Sequence, residues 1–345
     1  MFNQTQQQNK SLHWQAFFLA LLGAAVVFVP LMIWGKGYFF YYGDFNVQQI
    51  PFYQLAHEAV RSGDIWWNWN TDLGANFIGS YSFYLLFSPF FWLTIPFPNW
   101  LLPHLMGPLL ILKTGCAAFT SYFFLKRFVK DQNMAVLGSI LYAFSGWAVY
   151  NVFFNHFHEP MIFFPLLLIT LEEAMINRRR GAFAVAVAVN AMVNYWFFIG
   201  EVVFVVIYFF VRLTSPQWKF QWGKFFSVAL ESVLGLGMAM FAFLPSVLAI
   251  LGNPRTGVDS LLSGWNFWVY SHGQRPWAIL ASLFFPPDLP SNPNMFPDHG
   301  AKWASLAAYL PMVSASGVIA YVSWAKKNWL KKMLLLCLFI ALVPG

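Results

Sequence analysis

The 345-residue chain is 59% hydrophobic and 10% charged, with a net charge of +7. Soluble domains carry about 25% charged residues, so an ordinary soluble fold is excluded. The positive charge sits in short turns between long apolar runs, which excludes nucleic acid as its partner and points to the orientation of a membrane protein.

Residues 1–13 form a polar, Gln-rich tail, expected on the cytoplasmic side. The first apolar run, Trp14–Trp34, is long enough to cross a bilayer as a helix. It exceeds a signal-peptide core and lacks a small-residue cleavage site, so it is expected to remain as an anchor. An outer loop, 35–100, follows. Within it Pro51–Arg61 predicts a short amphipathic helix, with Pro51 at its start and Ser62-Gly63 at its stop. Phe52, Leu55, Ala56, Ala59 and Val60 share one face, with Gln54, His57, Glu58 and Arg61 elsewhere, so this helix is expected to rest on the membrane surface. Trp66, Trp67 and Trp69 suit the headgroup layer. Phe77–Pro98 is apolar but broken by Pro89 and Pro96, and reads as a re-entrant or interfacial segment.

Span two is expected at 101–125 and span three at 134–154. Span four follows at 160–176, and a tight hairpin of two spans at 181–196 and 198–212. Span seven is expected at 225–251, and an eighth at 303–324 after a second outer loop, 252–302. A ninth begins at Met333. The fold class is therefore an all-α polytopic membrane protein. Alternating short segments of the β-barrel kind do not recur.

The positive-inside rule orients this layout. Lys10, Lys126, Arg127, Lys130, Arg178, Arg179, Arg180, Arg212, Lys219, Lys224, Lys326, Lys327, Lys331 and Lys332 fall on one side, expected to be cytoplasmic. The other side keeps Lys36, Arg61, Arg255, Arg275 and Lys302, and Lys113 lies within a span. Cys116 and Cys337 both fall in expected spans, far from any metal or redox spacing. Gly235-Leu236-Gly237 lacks the third glycine of a nucleotide loop and reads as helix packing.

Chemistry is expected on the polar, non-basic side. Asp44 follows span one in Tyr41-Tyr42-Gly43-Asp44-Phe45-Asn46. Aromatic neighbours and lipid would partly desolvate it, as a carboxylate acting as a base requires. The alternative is a helix-capping or turn aspartate. His156, His158 and Glu159 lie on a short outer turn, where two imidazoles and a carboxylate could bind a metal or a phosphate or relay a proton. The alternative there is a hydrated turn between two apolar helices. Arg255 and Arg275 are exceptions to the charge rule and fit a phosphate ester, with His272 in the same loop. Glu201 and Glu231 fall within spans, where an acidic residue suggests function. A structural hydrogen-bond pairing, with Asn194 near Glu201, is the stronger reading of these.

The strings Gly43-Asp44-Phe45, Gln48-Gln49-Ile50-Pro51-Phe52-Tyr53, Trp67-Asn68-Trp69, Leu73-Gly74-Ala75-Asn76-Phe77 and Ser88-Pro89-Phe90 closely resemble the YfhO family of bacterial membrane proteins. Tyr142-Ala143-Phe144-Ser145-Gly146, His158-Glu159-Pro160 and Phe164-Pro165-Leu166 continue the resemblance, which covers most of the chain. It implies the GT-C class of integral-membrane glycosyltransferases, transferring a sugar from a polyprenyl-phosphate donor to a cell-envelope polymer such as teichoic acid. It implies Asp44 as the catalytic acidic residue, and a chain truncated relative to longer members. Gln48, Asn76, His156, His158, Glu159, Arg255, His272 and Arg275 are the expected substrate-binding residues. No cofactor is implied, and a divalent metal stays open. The expected partners are the lipid-linked sugar, the polymer acceptor and the bilayer, with the active site on the extracytoplasmic face. Two other functions compete: a transporter or flippase of a lipid-linked intermediate, and a non-catalytic envelope assembly partner.

Overall fold

A computed structural model describes residues 11–39, 43–71, 73–252, 279–280, 283–285, 309 and 312–342. Arg255, His272 and Arg275 lie outside the described residues. The chain divides into two compact units. The first comprises Met1–Ala143, Asn151–Val203 and Phe220–Leu251; the second comprises Phe144–Tyr150, Phe204–Lys219 and Gly252–Gly345.

The first unit opens with α1 (Leu12–Trp34), apolar on every side and largely exposed. A helix of that kind faces lipid. Its buried residues are Ala16, Ala20 and Ala24, one small-residue stripe at helical spacing. That stripe lets α1 approach α5 (Leu102–Leu125) and α6 (Gln132–Ala143), with Ala16 packed among Tyr122, Ala135 and Val136. Glycines on α5 answer it. A Cβ on Gly115 would meet the Phe17 ring at 3.0 Å, and one on Gly107 would strike the Met32 side chain.

Between α1 and α5 the chain forms a π-helical turn, Phe45–Gln49, then α2 (Ile50–Ser62). Pro51 lies in the first turn of α2 and Gly63 closes it with φ +87°, as the sequence predicts. A small antiparallel ribbon pairs β1 (Trp67–Asn68) with β2 (Ala75–Asn76), leaving Trp66, Trp67 and Trp69 exposed. α3 (Phe77–Tyr81), a second π turn (Ser82–Leu86) and α4 (Pro89–Trp92) follow. The expected break is therefore present. Phe77–Leu86 rises only about 15 Å, too little to cross a bilayer.

α8 (His158–Asn177) packs on α5, and α9 (Ala182–Val193) packs on α8 and α11 (Trp222–Leu251). The short helix α7 (Gly146–Tyr150) precedes α8, and α10 (Tyr195–Arg212) follows α9 after a break at Asn194. Gly235 sits tight against α9, where a Cβ would lie 2.7 Å from Val187 Cβ, whereas Gly237 faces open space. Gly235 is thus a packing glycine, and Gly237 makes no such contact. In the second unit α12 (Met312–Trp324) and α13 (Trp329–Ala341) pack together. Among the described residues five helical stretches are long and apolar enough to cross a membrane: Leu12–Trp34, Asn99–Leu125, Gln132–Phe153, Tyr195–Arg212 and Trp222–Leu251.

Candidate functional site

α5 and α8 run side by side and both end at basic residues, where Arg127 pairs with Glu173. The loop 43–50, the segment 82–92 and the turn 151–159 meet at the other, polar end of the first unit. Phe45 packs edge-on against Phe39, which packs against Phe28 at 5.3 Å. Phe28 lies six residues, about 9 Å, from the last residue of α1. Asp44 therefore sits near the level of the closing turns of α1.

Gly43 holds the backbone there with φ +58°, and a Cβ at that position would lie 2.5 Å from the Phe153 ring. Asp44 is half-buried and begins the π turn without capping it. Among the described residues its carboxylate makes no hydrogen bond or ion pair. The side-chain bond of a helix-capping aspartate is thus absent among the described residues, although Asp44 stands at the N-cap position of this turn. π turns concentrate at functional sites, and two of them flank Asp44. The second carries Tyr84, whose hydroxyl is raised above the usual phenol range by burial and then by the Asp44 charge.

A hydrogen-bonded chain leads inward from Gln48, which lies beside Tyr84. Gln49 Nε2 donates to Gln48 Oε1 at 3.2 Å, which leaves Gln49 Oε1 to accept from His156 Nδ1–H at 2.9 Å. That assignment puts the imidazole proton on Nδ1 and the lone pair on Nε2. Nε2 is buried without a hydrogen-bond partner among the described residues. Burial, then Lys113, then His158 hold the imidazole well below its usual range, so it is neutral. Phe83, Tyr84 and Phe157 enclose the ring edge-on at 4.8, 5.2 and 4.5 Å.

Beneath His156 lies a buried ion pair. Lys113 Nζ is 2.7 Å from Glu159 Oε1, with the side chains 0% and 1% exposed. The ammonium also donates to the Asn155 carbonyl at 3.0 Å and to Asn155 Oδ1 at 3.1 Å, which uses all three of its protons. Ser88 Oγ donates to Glu159 Oε1 at 2.7 Å and caps α4 through Phe90 and Phe91. Asn155 Nδ2 donates to Tyr53 OH at 3.2 Å. Burial and the Glu159 charge push the Tyr53 hydroxyl well above the usual range, so it stays protonated. Lys113 is eleven residues, about 16 Å, into α5, near its midpoint. The polar end thus continues inward as a buried polar cluster that reaches the middle of α5.

The structure brings Gln48, His156 and Glu159 into this cluster, with Asp44 beside Tyr84 at its edge. It corrects the reading of the His156–Glu159 turn as a hydrated one, because Asn155, His156, His158 and Glu159 are all buried. The three loops fold over it, and Lys113 balances the carboxylate. Glu159 is committed to that pair. Asn76 Oδ1 caps α3 by accepting from the Gly79 N–H at 2.7 Å. His57, expected on the polar face of α2, is fully buried, with no hydrogen-bond partner among the described residues. α2 packs against α5 and both π turns, so its apolar face alone does not decide burial. Among the described residues no group of three or more His, Cys, Asp or Glu side chains could hold a metal. Glu231 Oε2 accepts from the Ala184 N–H at 3.3 Å, at the N-terminus of α9. Asn194 Oδ1 accepts from the Phe197 N–H at 3.3 Å rather than pairing with Glu201, whose electrostatic neighbour is Tyr142. The residue that sequence reasoning passed over is Lys113. A lone lysine inside a span was the signal for it.

Fold and site define a polytopic helical membrane protein with a buried polar cluster of His156, Lys113 and Glu159 at its polar end. The family model described as bacterial membrane protein YfhO matches residues 16–342, and the chain belongs to that family. It is similar to the uncharacterized protein YfhO of Bacillus subtilis (strain 168), 24% identical over 244 residues. The match covers 65% of this chain, which spans 28% of that relative. No solved structure matches.

Proposed function

We propose that the chain carries the catalytic site of a membrane glycosyltransferase that uses a polyprenyl-phosphate-linked sugar and acts on an envelope polymer at the outer face. The observation that carries this reading is Asp44, a half-buried carboxylate that among the described residues makes no capping bond and pairs with no cation. It lies near the closing turns of α1, and Arg127 and Arg178–Arg180, which the positive-inside rule would put on the cytoplasmic side, lie at the opposite end of α5 and α8.

In this mechanism Asp44 takes the proton from an acceptor hydroxyl. The oxygen attacks the anomeric carbon as its bond to the donor phosphate breaks, and the phosphate leaves with the bonding electrons. Attack opposite the leaving group inverts the anomeric centre. Gln48 and Tyr84 orient the carboxylate's surroundings. His156, itself buried, backs Gln48 through Gln49.

The test is Asp44→Asn, assayed for sugar transfer in membranes supplied with a polyprenyl-phosphate donor. Loss of the general base should lower turnover about 100-fold or more. Unchanged turnover removes the mechanism.

A further inference from the structure

We propose that the basic end of the first unit holds a binding site for a phosphate mono- or diester, in the cleft between the C-terminus of α8 and the start of α11. This site is separate from the cluster above and does not depend on its function. The cleft encloses about 170 Å³ and is lined by Arg178, Arg179, Arg180, Lys224, Gln221 and Ser227 among others, with no acidic residue in its wall.

Three features separate it from an ordinary basic turn. The first is charge accounting. The carboxylate that Arg179 meets, Glu173, is already shared by Arg127, Arg179 at 3.4 Å and Asn177 at 2.8 Å. Arg178, Arg180 and Lys224 therefore face the cleft with no counter-charge among the described residues. The second is backbone conformation. Arg178 ends α8 with φ +54°, a left-handed position that glycine or asparagine fills with less strain. Strain kept at a charged residue is the kind a binding site retains. The third is orientation. Arg178 Nη2 donates to Gln221 Oε1 at 3.0 Å, and Lys224 Nζ donates to the Met175 carbonyl, so both cations are held at the cleft mouth. A guanidinium fork matches phosphate oxygens, and basic pockets between membrane helices take phosphorylated headgroups.

The same chemistry is offered by a lipid headgroup and by a soluble phosphate. The test reconstitutes the full chain in nanodiscs of phosphatidylcholine with graded phosphatidylglycerol and counts retained lipids by native mass spectrometry. A parallel arm titrates inorganic phosphate and follows thermal unfolding. Three variants accompany the wild type: Arg178→Gln/Arg180→Gln, Ser227→Asp, and Lys130→Gln/Lys327→Gln, which removes two exposed charges elsewhere. Selective retention of phosphatidylglycerol, reduced about tenfold in the first two variants and unchanged in the third, supports a headgroup site. Stabilisation by phosphate alone with the same variant pattern supports a soluble ligand. Ser227→Asp leaves every arginine in place and carries the test if the arginine double variant does not fold. No preference for either phosphate probe overturns the proposal, as does an equal loss in the third variant.

Discussion

Replacing Lys113 with Met removes three donated hydrogen bonds and the counter-charge of Glu159 in one step. The carboxylate left behind is buried and keeps only the Ser88 hydroxyl at 2.7 Å. Removing one partner of a buried ion pair costs about 3–5 kcal/mol, because the survivor stays charged and desolvated. The Asn155 side chain also loses its cation, which places Lys113→Met toward the upper part of that range. Glu159→Gln should be milder, near the lower end, because Lys113 retains both Asn155 oxygens. Lys113→Met/Glu159→Leu removes both charges and leaves only neutral groups short of a partner, at about 1–3 kcal/mol each. The double variant should therefore be more stable than the sum of the single effects predicts, because no charge is left buried without its partner. Unfolding of the purified variants in detergent, followed by tryptophan fluorescence, measures all three. Single effects below about 1 kcal/mol, or additivity within about 0.5 kcal/mol, would refute a desolvated pair at the centre of the bundle.

Gly43→Ala meets a left-handed φ and the Phe153 ring together, so it should destabilise the site loop by about 2 kcal/mol or more and lower activity. Trimming Phe153 to Leu in the same chain should recover part of that loss but not all of it. Glu231→Ala removes the side-chain acceptor at the start of α9 and should cost about 0.5–2 kcal/mol in unfolding measurements. His156 has a folded-state pKa depressed below its unfolded value of about 6.5. Its contribution to stability is thus complete above pH 6.5 and declines as pH falls, by up to about 1.4 kcal/mol per pH unit, until the folded pKa is passed. A His156→Phe variant should lose that slope between pH 6.5 and pH 5 in pH-dependent unfolding.

Much of this molecule is local chemistry that can be read along the chain. Hydropathy marks the membrane helices, because about 20 apolar residues are what a bilayer's thickness demands. Pro51 and Gly63 bound α2, since each acts on its own backbone angles. The Gly43-Asp44 loop and the separation of basic turns from polar loops are visible for the same reason. Burial of the His156–Glu159 turn, of His57, and the commitment of Glu159 to Lys113 are not visible. Each depends on which segment covers which, across separations such as the 107 residues between Gln49 and His156. Periodicity also hides the two π turns, which register only as hydrogen bonds one residue longer than those of an α-helix. The linear chain therefore settles that this is a membrane protein with a polar end and a basic end. Packing decides that Asp44 lies beside Tyr84 and that Gln49, behind Gln48, meets His156, because side chains distant in sequence acquire partners only when their helices meet.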